Sequence, residues 1–188
     1  MTHLINTMPL PAIDKDWTLF LDRDGVINVE NPLGYINTWD EFIFFDGVKQ
    51  ALRIFAGRFK YIFVVSNQRG VAKGITKPAD LAAIHRNMKE EIEMGGGRID
   101  KIYFCIDMEP TSINRKPNPG MGLQAKEDFG EIDFPKSVMV GNKLSDMEFG
   151  RNLGCKTVFL TTTNPDVQQN DPRIDAVNRS LIEFAETL

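Results

Sequence analysis

Five short apolar runs, WTLFLD, YIFVVSN, KIYFC, SVMVG and KTVFL, recur along the chain with helix-period segments between them. Each is of strand length, rich in β-branched or aromatic residues and almost free of polar interruption, as strands buried on both faces are. Parallel neighbours need a crossover long enough for a helix, so strand–helix alternation along the chain implies a parallel sheet covered on both sides. The expected fold class is α/β, with helices on both faces of a central parallel sheet. With 188 residues, 42% of them hydrophobic, the chain is expected to form an N-terminal arm over 1–16 and a single domain over 17–188.

The helix boundaries follow from local chemistry. Asp46 suits the cap of a helix with Val48, Ala51, Leu52 and Phe55 on one face. Thr76 and Pro78 open a second, through Leu81, Ile84 and Met88 to Gly95–Gly97. Asn118 and Pro119 suit the N-cap and first position of a third. Ser145 and Glu148 form a capping-box pattern for a fourth, which Gly154 would end. His85, inside a helical pattern, reads as an ordinary surface or half-buried histidine. The long irregular stretches, 29–46 and 106–118, lie beside strand ends and are candidates for substrate contact.

A formal net charge of -4 without a long basic run argues against nucleic acid or anionic membrane as partners. No stretch approaches the ~20 apolar residues needed to span a bilayer, and the N-terminus lacks the basic start and apolar run of a signal peptide. The expectation is a cytoplasmic protein, monomer or weak homodimer. Cys105 and Cys155 sit in apolar surroundings and read as buried, reduced thiols.

Parallel sheets bind ligands at the carboxyl ends of their strands. The first strand delivers Asp22 and Asp24 there, the second Ser66 and Asn67, the fourth Gly141 and Asn142 with Asp146 just beyond. The loop after the third carries Arg115 and Lys116. Carboxylates, a hydroxyl and a lysine on one edge suit phosphoryl transfer. Asp22 could give one oxygen to Mg²⁺ and attack phosphorus with the other, while Asp24 gives its backbone carbonyl to the metal and its side chain to proton transfer. Burial beside another carboxylate is expected to raise the Asp24 pKa. Gly25 permits a tight turn exposing backbone amides. Ser66 can hold a phosphoryl oxygen, and Lys116 can stabilise the nucleophile and the transferring group. Each residue alone has an ordinary reading as turn former, cap or surface charge; their joint placement at strand ends favours the chemical one.

In these residues the chain resembles the haloacid dehalogenase superfamily of aspartate-nucleophile phosphatases. FLDRDGVIN is similar to its first motif, VVSNQRGVAKG to its second, NRKPNPGM to its third and VGNKLSDME to its fourth, together covering roughly 17–160. The wording is nearer the branch of heptose bisphosphate and histidinol-phosphate phosphatases, with GYI and EFIFFDGV nearer the former. The resemblance implies a three-layer, Rossmann-like sandwich with no large cap domain, Mg²⁺ dependence, and a small phosphorylated metabolite as partner. It matches Asp22 to the nucleophile, Asp24 to the acid/base, Ser66 to phosphate binding, Lys116 to the stabilising lysine and Arg115 to substrate recognition. It places Tyr35, Asn67, Gln68 and Lys143 near substrate.

Two departures stand out. Asn142 occupies the position of a metal-binding aspartate, so the site keeps an oxygen donor but loses a negative charge. Asp146 is a second metal candidate that could compensate. The branch's zinc loop of three cysteines and a histidine is reduced here to Cys105, so no structural zinc is expected. The resemblance puts a phosphorylated sugar such as a heptose bisphosphate first as substrate; the alternatives are histidinol phosphate as substrate, a weakly active or non-catalytic sugar-phosphate binder, motivated by Asn142, and a phospho-accepting signalling domain with Asp107 as its only candidate acceptor.

Overall fold

The computed structural model describes residues 10–168 and 170–188. All five apolar runs are strands of one sheet: β1 (Thr18–Leu21), β2 (Tyr61–Asn67), β3 (Lys101–Cys105), β4 (Ser137–Gly141) and β5 (Lys156–Leu160), joined by β6 (Ala176–Asn178). The order is β3-β2-β1-β4-β5-β6, and every neighbouring pair is parallel. Helices α1 (Val48–Arg58), α2 (Pro78–Met94), α3 (Gly120–Phe129), α4 (Leu144–Leu153) and α5 (Leu181–Glu186) complete the α/β sandwich.

Successive strand side chains point to opposite faces, and this alternation divides the core in two. Leu19 and Leu21 of β1 face one way and join Val64, Val140, Leu52, Phe55, Met88 and Phe184, contributed by β2, β4, α1, α2 and α5. Phe20, between them, faces the other way and joins Phe63, Val65, Met139, Met121 and Phe149, contributed by β2, β4, α3 and α4. Leu10 and Ile13, in the expected arm, are partly buried against the first core; residues 1–9 of that arm lie outside the described residues.

Several local expectations are corrected. KIYFC, read as a central strand, is an edge strand, with Lys101 and Phe104 exposed. Asp46 does not cap α1; Gly47, in the left-handed region, stands at that position. Lys77 precedes α2, and Thr76 instead donates to Asn37 Oδ1 at 2.8 Å. The third helix begins one residue later than expected, with Pro119 at its N-cap, and the Asn118 side chain is instead held by Nδ2 donating to the carbonyls of Pro110 and Ser112. At α4 the N-terminal bond comes from Asp146, whose Oδ2 accepts the Lys143 amide at 3.0 Å, and not from a Ser145–Glu148 pair. The elements missed, β6 and α5, are too short to show a period.

Phe20 is fully buried and touches three other aromatic rings, of Phe63, Phe134 and Phe149, at centroid distances of 5.5–6.5 Å. Replacing it with alanine removes those contacts and leaves a cavity behind the strand that carries Asp22. The expected loss, read by urea denaturation, is about 3–5 kcal/mol. Leu123→Ala, on the exposed side of α3, should stay within about 0.5 kcal/mol of the parent.

Candidate active site

The chain leaves β1 in one direction to build β2 and β3, then returns to place β4 on the other side of β1. The strand order thus reverses between β1 and β4, and a crevice opens at their carboxyl ends. A cavity of about 690 Å³ lies there, lined by Asp22, Asp24, Tyr35, Ser66, Asn67, Gln68, Arg115, Lys116, Lys143 and Asp146, with Glu30 and Arg69. Asn142, fully buried, borders an adjoining cavity of about 510 Å³ that shares Lys143, Thr163 and Asn164 with the first.

Lys116 sits at the centre. Its ammonium is buried between two carboxylates, 2.8 Å from Asp22 Oδ1 and 2.7 Å from Asp146 Oδ1. Burial alone would lower the Lys116 pKa, but the two carboxylates outweigh it and raise it, so the lysine stays charged. Asp22 is pushed up to about 6, first by burial and then by Asp146 and Asp24, against the opposing pull of Lys116. Asp146 accepts from Lys116 through one oxygen and from the Lys143 amide through the other. It is thereby committed to holding the lysine and the start of α4, which leaves little for the metal role expected of it. Lys116 itself is anchored by Asn67, whose side chain exchanges hydrogen bonds with the Lys116 amide and carbonyl, both at 3.0 Å. The Lys116–Pro117 peptide is cis.

The electrostatics of Asp24 are the reverse of the sequence expectation. Burial would raise its pKa, but Arg23 beside it, with hydrogen bonds from Asn28 and Gln68, holds it below the ordinary carboxylate range. Arg23 donates from Nη2 to both carboxylate oxygens at 2.8 and 2.9 Å and from Nε to Oδ1 at 3.2 Å. Asn28 donates at 3.0 Å, and the Gln68 amide donates at 2.8 Å both to Asp24 Oδ2 and to Ser66 Oγ. Arg23 is 0% exposed, among the largest fully buried side chains of the protein. Its remaining terminal nitrogen, Nη1, lies 3.2 Å from Nε2 of His85 on α2. His85 is buried and not the surface or half-exposed residue expected; burial, then the Arg23 charge, lowers its pKa to about 3 and keeps the ring neutral. The signal for Arg23 was its place between the two aspartates. For His85 it was the spacing Leu81, His85, Met88, Ile92, the inward stripe of α2.

The residues expected near substrate divide into two groups. Asn67 and Gln68 face the cavity but spend their amides on Lys116, Asp24 and Ser66. Arg115 and Tyr35 line the cavity; Arg115 donates to the Met108 carbonyl, and Lys73 lies over the Tyr35 ring. Lys143 pairs with Glu30 at 2.7 Å across the mouth.

At the end of β4, the Asn142 amide nitrogen donates to Thr163 Oγ1 at 2.6 Å, while its Oδ1 is buried without a partner among the described residues. A buried acceptor left bare costs about 1–3 kcal/mol, and a cation would satisfy it. β1 and β4 are paired and Gly25 packs against Asn142, so the Asp22 carboxylate and the Asp24 backbone are oxygen donors at the same strand ends. Oxygen donors with few charges fit a hard, partly hydrated divalent cation. Among the described residues no trio of His, Cys, Asp or Glu is arranged to hold a metal, so the fit rests on a mixed carboxylate, amide and carbonyl set. Gly25 makes this approach possible. It adopts φ +89°, and a Cβ there would stand 2.0 Å from Asn142 Nδ2. The loop after β5 braces both sides: Thr162 donates to the Gly25 carbonyl and Asn164 to the Asn142 carbonyl. These threonine and asparagine contacts carry no sequence signature.

A family model for HAD-hydrolase-like proteins matches residues 113–184. A D-glycero-alpha-D-manno-heptose-1,7-bisphosphate 7-phosphatase of Campylobacter jejuni is 37% identical over 157 residues, covering 84% of this chain and 88% of the relative. The D-glycero-beta-D-manno-heptose-1,7-bisphosphate 7-phosphatase of Escherichia coli K12 is 34% identical over 180 residues, covering 90% and 92%. A crystal structure of D,D-heptose 1,7-bisphosphate phosphatase from B. bronchiseptica, complexed with magnesium and phosphate, superposes with a TM-score of 0.82 at 28% identity, covering 91% of this chain and 97% of that one. Matches of this extent, on a chain whose strand ends assemble Asp22, Asp24, Ser66 and Lys116 around one cavity, show that it belongs to the haloacid dehalogenase-like phosphatases and hydrolyses phosphate esters.

Proposed function

We propose that this enzyme removes a phosphate from a sugar phosphate, D-glycero-D-manno-heptose 1,7-bisphosphate, through a phosphoryl group carried transiently on Asp22. The observation that supports this most is the buried Asp22–Lys116–Asp146 arrangement, which lines, together with Asp24, a cavity large enough for a sugar. The names of the relatives supply the substrate.

An oxygen of Asp22 attacks phosphorus, and the bond to the ester oxygen breaks. Lys116 keeps Asp22 ionised and offsets charge on the transferring group. The negative phosphate brought next to Asp24 raises its pKa towards the protonated form. Asp24 gives that proton to the departing sugar oxygen, then takes one from the water that attacks phosphorus in the second step. Inorganic phosphate leaves and both aspartates return to their starting forms. Ser66, oriented by Gln68, holds a phosphoryl oxygen, and Arg115, Tyr35 and Lys143 meet the remainder of the substrate. Asp22, the Asp24 carbonyl and Asn142 would hold Mg²⁺, which would supply positive charge that lessens repulsion between Asp22 and the anionic ester.

Asp22→Asn tests the reading. Turnover of the heptose bisphosphate, followed by phosphorus NMR, should fall by at least about a thousand-fold, while the fold persists because Lys116 keeps Asp146. Stability should respond to pH with a definite sign. The Asp22 pKa is raised from 3.8 to about 6 in the native state, so native protein binds this proton more tightly than unfolded chain. The parent therefore loses stability relative to Asp22→Asn as pH rises from about 4 to about 6, by roughly 2–3 kcal/mol without divalent cation. Denaturant melts at the two pH values measure it; a difference that is flat or of opposite sign refutes the assignment.

Asn142→Asp places a negative charge at the end of β4. The Mg²⁺ concentration for half-maximal rate should drop about ten-fold, and the Mg²⁺-induced rise in melting temperature should begin at correspondingly lower concentration. If neither moves, Asn142 does not touch the metal.

A further inference from the structure

Arg23 and His85 have no part in the chemistry just described, yet the fold commits a fully buried guanidinium to them. Arginine carries five N–H donors and no acceptor. In the 3.2 Å contact between Arg23 Nη1 and His85 Nε2, the histidine nitrogen is therefore the acceptor, and the ring proton lies on Nδ1. This pairing has a consequence for Asp24. A carboxylate in place of His85 would compete for the guanidinium and swing it towards α2. A neutral imidazole satisfies Nη1 without a second negative charge, leaving Nε and Nη2 aimed at Asp24, where they make three contacts of 2.8–3.2 Å. His85 is held in turn by its place on the buried stripe of α2 and by the Phe104 ring, 5.2 Å away on β3, the residue opposite Ser66 in the sheet.

We propose that His85 and Arg23 form a positioning relay, running from α2 through the sheet edge to Asp24, that fixes the Asp24 carboxylate where it must meet the ester oxygen. Neither residue lines the cavity. The relay acts on the one step that depends on where that proton is delivered. Proton delivery matters most when the departing oxygen is strongly basic, as in an alkyl or sugar ester, and least when the leaving group is stable as an anion, as in p-nitrophenyl phosphate. A loosened Asp24 should therefore slow alkyl esters selectively. The inference rests on Asp24 being the proton carrier and is independent of which sugar the enzyme uses.

The test compares kcat and KM on β-glycerophosphate and p-nitrophenyl phosphate for the full chain and its variants. His85→Leu keeps the volume of the side chain and removes the acceptor. Its kcat on β-glycerophosphate should fall about ten-fold or more, with less than about a three-fold fall on p-nitrophenyl phosphate and KM little changed. His85→Gln, whose amide oxygen can accept from Arg23, should recover most of the loss. Arg23→Lys, which keeps the charge but lacks the fork, should show the same selectivity as His85→Leu. Equal losses on both esters, or a leucine variant as good as the glutamine one, would mean that His85 only fills space and would overturn the relay. Asp24→Asn is the control on the underlying reading: if it shows no selectivity for the alkyl ester, the role given to Asp24 falls, whatever the relay variants do.

Discussion

A buried ammonium between two buried carboxylates, Lys116 between Asp22 and Asp146, is the interaction on which the site depends. Such an arrangement is a poor source of stability, because three charges give up hydration that their mutual attraction barely repays. It is kept in place by much of the surrounding structure. Asn67 ties the Lys116 backbone to the end of β2, Asp146 also closes the first turn of α4, and Gly141 has no room for a side chain, since a Cβ there would stand 2.2 Å from that of Asp146. The three charges sum to a single negative one at the strand ends. That excess, at the same strand ends as the Asn142 carbonyl oxygen, is what a divalent cation would offset before an anionic phosphate ester could bind.

The second aspartate shows how neighbouring residues can be given opposite properties. Asp22 and Asp24 share a turn and both are largely buried, yet burial raises one pKa while Arg23 lowers the other. The difference comes from which cation each faces and how many donors surround it. Asp22 meets one ammonium already shared with Asp146. Asp24 meets the fork of a guanidinium and two amides. Asn142 adjusts the same balance from the other side: it supplies an oxygen without a charge, and its fit against Gly25 leaves no space for a side chain at that position.

The layered fold was legible because its signal is long-range and repetitive: five apolar runs of strand length separated by amphipathic helices. What misled was local. KIYFC has the composition of a central strand, but a run of five residues does not say whether one neighbour or two will pair with it. Asn118 and Ser145 have good capping chemistry and lost their expected places to partners from elsewhere, the carbonyls of the 106–118 loop and the carboxylate of Asp146. The site residues at strand ends were legible for the same reason as the strands, since topology alone brings strand ends together. Asn67 and Gln68 were found but assigned to substrate, whereas their amides serve Lys116, Asp24 and Ser66. The Arg23–His85 contact joins residues 62 positions apart, and no spacing rule links a residue within a turn to one on a distant helix.

The central claim is that phosphorus passes onto one named oxygen-bearing side chain. Acid quenching during turnover, followed by peptide mass spectrometry, tests it most directly. The account predicts one phosphoryl group on the peptide containing Asp22, appearing and decaying at rates that match the release of inorganic phosphate. Turnover at the full rate with no adduct on that peptide, or an adduct on a different residue, would contradict it.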